Sequence, residues 1–208
     1  MNLTPSNPLK LILASQSPRR RALLQKAGFC FKVIPSQVDE NIPCRVTPEG
    51  FVAQLAQAKA EDVSKQNCDA VVLGADTIVI LGDTILGKPK GKDDARRMLQ
   101  KLSGAWHQVM TGYTIVHHAS AKMLRATIIT DVKFKILTLA EIEWYIESAE
   151  PDDKAGAYAI QGIGALWVEK IKGSYTNVVG LPICEVAQAL LQMGVQHPTK
   201  TFNLSDRQ

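Results

Sequence analysis

Leu11-Ile12-Leu13-Ala14-Ser15-Gln16-Ser17-Pro18-Arg19-Arg20-Arg21 carries a short apolar run into two serines, a proline and three successive arginines. Residues 9–14 have the continuous apolar character of a buried strand. Ser17 then supplies an N-cap and Pro18 the favoured first helical position, so a helix is expected from there to Lys26, ending at Gly28. A strand that passes at once into a helix points to an α/β chain. The arginines work against the helix itself. A helix N-terminus presents unpaired N–H groups and partial positive charge, and its first turn favours Asp or Glu. Cations placed there prepare for an anion, and phosphate is the first expectation.

Residues 29–35 read as a second strand. Thr47-Pro48-Glu49 repeats the cap-and-proline opening, with Val52, Leu55, Ala56 and Lys59 on neighbouring helical turns. Residues 70–74 form an apolar strand, which Ala75-Asp76 is expected to break before residues 77–81 resume it. Gly82-Asp83 turns the chain into residues 84–86. Residues 93–102 are helical and close at Gly104. Two long β segments follow, 106–117 and 123–136. Thr138 and Glu141 form a capping box that opens a helix over 138–148. A Gly-rich loop starts at Pro151, residues 165–171 read as a strand, and 182–193 as the last helix. Early alternation of strand and helix with a central hairpin predicts an α/β fold. Its core is a mixed twisted sheet with flanking helices and two lobes around a cleft. One domain over 10–196 is expected, with a lead-in over 1–9 and a polar tail over 197–208.

The 208 residues, 46% hydrophobic and 21% charged, suffice for one ordinary core. A net charge of +4 suits a small anion and is too weak to argue for nucleic acid; 6% aromatic residues add little for base stacking. Cys30, Cys44, Cys68 and Cys184 contain no Cys-x-x-Cys pair, which disfavours zinc and predicts reduced, mostly buried thiols. No run approaches the ~20 apolar residues of a membrane span, and no secretory leader is evident, so a cytoplasmic location is expected. His107, His117, His118 and His197 lack metal-ligand spacing and are expected to be structural or exposed. Walker A and Gly-x-Ser-x-Gly patterns are both absent, which disfavours a P-loop ATPase and a hydrolase elbow.

Asp76 is a lone carboxylate in an apolar stretch. It is either a hydrogen-bonded turn acid or a group that binds Mg²⁺ or activates water. Lys88 reads as a turn lysine or a phosphate contact, and Lys59 as a snorkelling helix lysine or a cation for phosphate. Glu40, beside Asp39, reads as a solvated acid or a metal ligand. Together they offer cations for phosphates and acids for a metal, the requirements of phosphoryl chemistry. In residues 151–164, Gly156, Gly162 and Gly164 allow close approach by a ligand. Gln161 there carries a donor and an acceptor that can read a base edge or face solvent. Asn177 either orients a ligand or closes a turn.

Ser15-x-Ser17-Pro18-Arg19-Arg20, Gly74-Ala75-Asp76-Thr77, Gly87-Lys88-Pro89, Leu102-Ser103-Gly104 and Asp153-Lys154-Ala155-Gly156-Ala157-Tyr158-x-Ile160-Gln161-Gly162 together resemble the Maf family. The resemblance continues through Gly173-Ser174-Tyr175-x-Asn177-Val178-Val179-Gly180-Leu181-Pro182, and spans residues 11 to 191 in order. It implies a fold similar to that of inosine triphosphate pyrophosphatases. The implied activity is metal-assisted cleavage of nucleoside triphosphates between the α- and β-phosphates, with Mg²⁺ or Mn²⁺. The loop around Gln161 is similar to that of the branch acting on dTTP and UTP; the 7-methyl-GTP branch differs there. By position, the resemblance implies Asp76 as catalytic base and Arg19, Thr77 and Gln161 as specificity positions. Ser15, Arg20, Lys59 and Lys88 would contact phosphates, and Asp76 and Glu40 a metal. Arg21 matches no motif position. The family is also linked to septum formation and division arrest, and a homodimer is implied. A nucleotide- or nucleic-acid-binding regulator without significant catalysis is the alternative function.

Overall fold

The computed structural model describes residues 9–40 and 46–196. Most of the lead-in (residues 1–8), the tail from 197, Cys44 and His197 lie outside the described residues. Seven strands form one sheet: β1 (Lys10–Leu13), β2 (Phe31–Val33), β3 (Ala70–Leu81), β4 (Thr84–Leu86), β5 (Trp106–His117), β6 (Lys122–Phe134) and β7 (Val168–Lys172). Their order is β2-β1-β3-β5-β6-β7, with β4 also paired to β3. β2, β1 and β3 run parallel, whereas every other pairing is antiparallel. This is the mixed sheet the sequence predicts. The helices are α1 (Pro18–Lys26), α2 (Pro48–Ser64), α3 (Lys92–Leu102), α4 (Leu139–Glu147), α5 (Tyr175–Val179) and α6 (Ile183–Gln192).

The helix starts obey the caps. Ser17 Oγ accepts from Arg20 N, Thr47 Oγ1 from Gly50 N, and the Thr138–Glu141 box closes in both directions. Gly28 follows the end of α1 with φ +81, a conformation in which a Cβ is strained.

Four expectations are corrected. Ala75-Asp76 does not interrupt β3, because β5 pairs with it without a gap from Val71 to Ile80. β7 starts only at Val168, since residues 163–167 wind into 3₁₀ turns. The loop before Pro182 contains the short helix α5, capped by Ser174. Cys30, Cys68 and Cys184 are exposed, not buried. Phe29 takes the core position beside Cys30, Cys68 lies in the turn before β3, and α6 turns Val186, Ala189 and Leu190 inward instead of Cys184.

One edge of β3 carries β5 along its length, and the other is shared by two short strands. β1 pairs with residues 70–73 and β4 with residues 79–81. Between them residues 74–78 have no neighbouring strand on that edge among the described residues. The notch spans about 20 Å from Leu73 to Val79 at about 3.4 Å per residue. Two apolar cores flank it. One joins β1, α1 and α6 around Leu13, Leu24, Leu73 and Leu190; the other joins α3, α4 and the far ends of the long strands around Val79, Leu99, Phe134 and Tyr145. These are the two lobes, and they share one sheet.

Helix α2 lies unusually close to this sheet. A Cβ on Gly74 would sit 2.4 Å from Ala56 O and 2.6 Å from Ala60 N, and one on Gly112 would sit 2.6 Å from Val52 O. Gly112 on β5 stands opposite Asp76, next but one to Gly74 along β3, so α2 rests on a flat patch of bare backbone. The obstructing atoms are backbone and cannot rotate aside. Gly74→Ala is therefore expected to destabilise the protein by about 2–3 kcal/mol through overpacking, read as a lower urea midpoint at constant slope. An unchanged midpoint would show that α2 can retreat freely.

Candidate active site

Side chains alternate along β3, so Gly74, Asp76 and Ile78 face α2 while Ala75 and Thr77 face the opposite side. Asp76 and Thr77 both lie in the notch, where each is reached by a cation from its own face. From α2, Lys59 Nζ stands 2.7 Å from Asp76 Oδ1 and 2.6 Å from Glu40 Oε1. Lys59 does not snorkel: only 6% of it is exposed, and Asp76 is 9% exposed. From α1, Arg20 Nη2 donates to Thr77 Oγ1 at 2.9 Å, Nη1 to Ser15 Oγ at 3.2 Å and Nε to Gly180 O at 2.8 Å. Thr77 Oγ1 also lies 2.9 Å from Thr111 Oγ1 on β5. The second arginine of the triplet is thus built into the wall, joining the Ser15 loop, the central strand and the end of α5.

Glu40 bridges two lysines, with Oε2 3.3 Å from Lys88 Nζ. Burial opposes its charge, but the hydrogen bond and charge of Lys59, reinforced by Lys88, hold its carboxyl below the ordinary 4.5. A carboxylate with a depressed folded-state pKa adds stability above its ordinary range, and that stability is lost as pH falls through the folded value. Thermal unfolding followed from pH 6 to pH 3 is expected to show a shallower acid decline in Glu40→Gln than in the wild type. Equal slopes would remove Glu40 from the acid transition.

Ser15, Arg19, Arg20, Glu40, Lys59, Asp76, Thr77, Lys88 and Gln161 all line one cleft of about 840 Å³. That volume suits a nucleotide-sized ligand. Among the described residues, five cationic side chains and three carboxylates face it, a net positive balance. Arg19 is held at its rim by Asp153 Oδ2 at 3.3 Å, and Asp153 in turn meets Lys154. Lys154 belongs to the same motif as Gln161, but no spacing within that motif reveals that its ammonium lines the cleft and bonds Glu150 O. Thr111, Tyr145 and Glu150 carry no sequence signal at all.

Asn177 closes structure instead of facing a ligand. It is fully buried, and its Nδ2 donates to Val109 O and Thr130 Oγ1, fixing α5 to β5 and β6. His107 is structural: it is buried, with Nε2 2.8 Å from the Tyr158 hydroxyl. Burial pushes its pKa down to about 4, which keeps the ring neutral.

No group of three or more His, Cys, Asp or Glu able to hold a metal occurs among the described residues. Two carboxylates do converge on the single ammonium of Lys59. A divalent ion of the Mg²⁺ kind is commonly held by one or two carboxylates, with phosphate oxygens and waters completing its shell. The Asp76–Glu40 pair fits such an ion.

The model of the Maf-like protein family matches residues 10–193. The chain belongs to the Maf-like family. Relatives of this Maf-like protein include a dTTP/UTP pyrophosphatase of Geotalea uraniireducens, 50% identical over 184 residues that cover 88% of this chain and 95% of the relative. Another is a dTTP/UTP pyrophosphatase of Bacillus pumilus, 48% identical over 186 residues, covering 89% and 97% respectively. In structure, the Maf-like chain is similar to a HAM1 protein from Coxiella burnetii, with TM-score 0.50 and 16% identity over 88% of this chain and 99% of that one. That likeness concerns the fold alone and agrees with the mixed sheet. No helix among the described residues of the Maf-like chain is long and apolar enough to cross a membrane.

Proposed function

We propose that this protein hydrolyses dTTP and UTP to the monophosphate and diphosphate, with Asp76 serving the attacking water. The observation that carries the reading is the position of Asp76. A nearly buried carboxylate stands in the notch of the central strand, in a cleft that is otherwise mainly cationic. A simple triphosphate binder gains nothing from an acid there, since it repels the ligand. A hydrolase needs it to receive a proton or to hold a cation.

Each side chain then has a task. Asp76 gives Oδ1 to Lys59 and turns its other oxygen to the water. Arg19, Lys59 and Lys88 neutralise phosphate oxygens, with Lys59 also fixing the direction of the Asp76 carboxylate. Ser15 and the first N–H groups of α1 offer donors to the same oxygens. Arg20 spends most of its fork on the wall, so it contributes fixed positive charge and the placement of Ser15 and Thr77. Asp76 and Glu40 would hold Mg²⁺ or Mn²⁺, which when bound lowers the pKa of water and offsets phosphoryl charge. Gln161, which also lines the cleft, offers an N–H to the O4 carbonyl and its own carbonyl to the N3–H of thymine or uracil.

A panel of nucleoside triphosphates, incubated with Mg²⁺ or Mn²⁺ and resolved by ion exchange, tests the proposal. The expected products are dTMP and UMP with diphosphate. Release of orthophosphate, or no turnover of any triphosphate, overturns it.

A further inference from the structure

The loop that carries Gln161 is wrapped around one carboxylate. Glu150 Oε2 accepts from Ile163 N at 3.2 Å, and Oε1 accepts from Gly164 N at 3.3 Å. The Tyr145 hydroxyl donates to Glu150 Oε1 at 2.9 Å and accepts from Ala159 N at 3.1 Å. The backbone is therefore tied down two residues before Gln161 and two and three residues after it, by two side chains that touch each other.

The glycines in this loop permit the wrapping. A Cβ on Gly162, which has φ +82, would lie 2.6 Å from Glu150 Oε2. One on Gly164 would lie 2.3 Å from Ala159 O and 3.1 Å from the Tyr145 hydroxyl. Tyr145 is itself fixed, fully buried and edge-on to Trp167 with ring centroids 4.5 Å apart. Burial pushes its hydroxyl pKa upward, so it remains a protonated donor. Glu150 is also linked to Arg19 through its backbone. Its carbonyl accepts from Lys154 Nζ, Lys154 pairs with Asp153, and Asp153 holds Arg19.

We propose that Tyr145 and Glu150 are positioning residues for base selection: they clamp the loop on both sides of Gln161 and so fix the direction of its amide. Neither lines the cleft, so neither touches the substrate. The proposal rests on Gln161 reading the base. A donor–acceptor pair discriminates only when its orientation is fixed, because an amide free to turn can satisfy uracil and cytosine alike. Three donors on one carboxylate make the clamp charge-assisted, stronger than neutral loop contacts.

The test compares kcat/KM for UTP and CTP in Tyr145→Phe, Glu150→Ala, Glu150→Gln, Gln161→Ala and the Glu150→Ala/Gln161→Ala double variant. Tyr145→Phe removes two of these hydrogen bonds and Glu150→Ala three. Each is expected to lower the UTP/CTP ratio by at least about tenfold, the effect of losing one such bond. Glu150→Gln keeps an acceptor for Tyr145 and Gly164 but offers Ile163 N no second oxygen, so it falls between Glu150→Ala and the wild type. The double variant is expected to discriminate no worse than Gln161→Ala alone, since the clamp acts only through that amide. Equal losses for both substrates, or effects on the ratio that multiply in the double variant, overturn the clamp. Should Glu150→Ala fail to fold, Tyr145→Phe removes one oxygen only and tests the clamp by the same ratio. A wild type that hydrolyses neither substrate, or both equally, overturns the reading of Gln161 and the clamp with it. A selective wild type with equally selective variants overturns the clamp alone.

Discussion

Replacing Asp76 with Asn is expected to lower the rate of diphosphate release from dTTP or UTP by about 10²–10⁴-fold, the range for loss of a positioned general base. Asn keeps the size of Asp and an oxygen that accepts from Lys59, whose Nζ stands 2.7 Å from Oδ1. The fold should therefore survive, and thermal unfolding of the variant checks that it does. What disappears is the charge. An amide neither takes a proton from water nor binds a divalent ion with useful strength. If Asp76→Asn retains more than a tenth of the wild-type rate, the carboxylate is only a structural partner of Lys59 and the proposed chemistry falls.

The second large effect is expected from Lys59→Met. The substitution keeps an apolar stem of similar length on α2 and removes the ammonium that Asp76 and Glu40 share. Breaking a buried ion pair by deleting one partner costs about 3–5 kcal/mol. Glu40 is half-exposed, so water relieves part of the repulsion and the low end, about 3 kcal/mol, is expected. The sign with pH follows from Glu40, whose carboxyl Lys59 helps hold below its ordinary value in the wild type. The deficit is greatest at neutral pH and shrinks as pH approaches about 4, where free carboxyls protonate. Urea unfolding at pH 7 and pH 4.5 measures both values. A deficit below 1 kcal/mol at pH 7, or one that grows toward acid, contradicts the role given to Lys59.

Local rules make much of this molecule legible. Ser17-Pro18, Thr47-Pro48 and the Thr138–Glu141 box each begin a helix where capping chemistry places one. Local pattern misleads where long-range pairing overrides it. Ala75-Asp76 looks like a break, yet β5 holds it in the strand, and only the strand partner reveals this. Cysteine is by habit a buried residue, but the helix phase of α6 turns Cys184 outward. In the site, every side chain given a catalytic, specificity, phosphate or metal role by motif lines the cleft, whereas Asn177 does not. Gly156, Gly162 and Gly164 read as points of close approach for a ligand, but they are packed against Val79, Glu150 and Ala159 instead. The connections among the site residues are invisible in the sequence. Nothing there says that Lys59 joins Glu40 to Asp76, or that the Arg20 fork closes on Gly180 O, since these contacts span 17 to 160 residues. Tyr145 and Glu150 escape notice for another reason: their partners are largely backbone amides, which leave no mark in the side-chain pattern.

The placement of Asp76 and Thr77 on opposite faces of one unbroken strand makes parity itself a working part. One residue gained or lost between Gly74 and Asp76 would swing the acid away from Lys59 and toward the Arg20 side, with every group still present in composition. A change of length in this stretch should cost the activity as surely as replacing Asp76 itself.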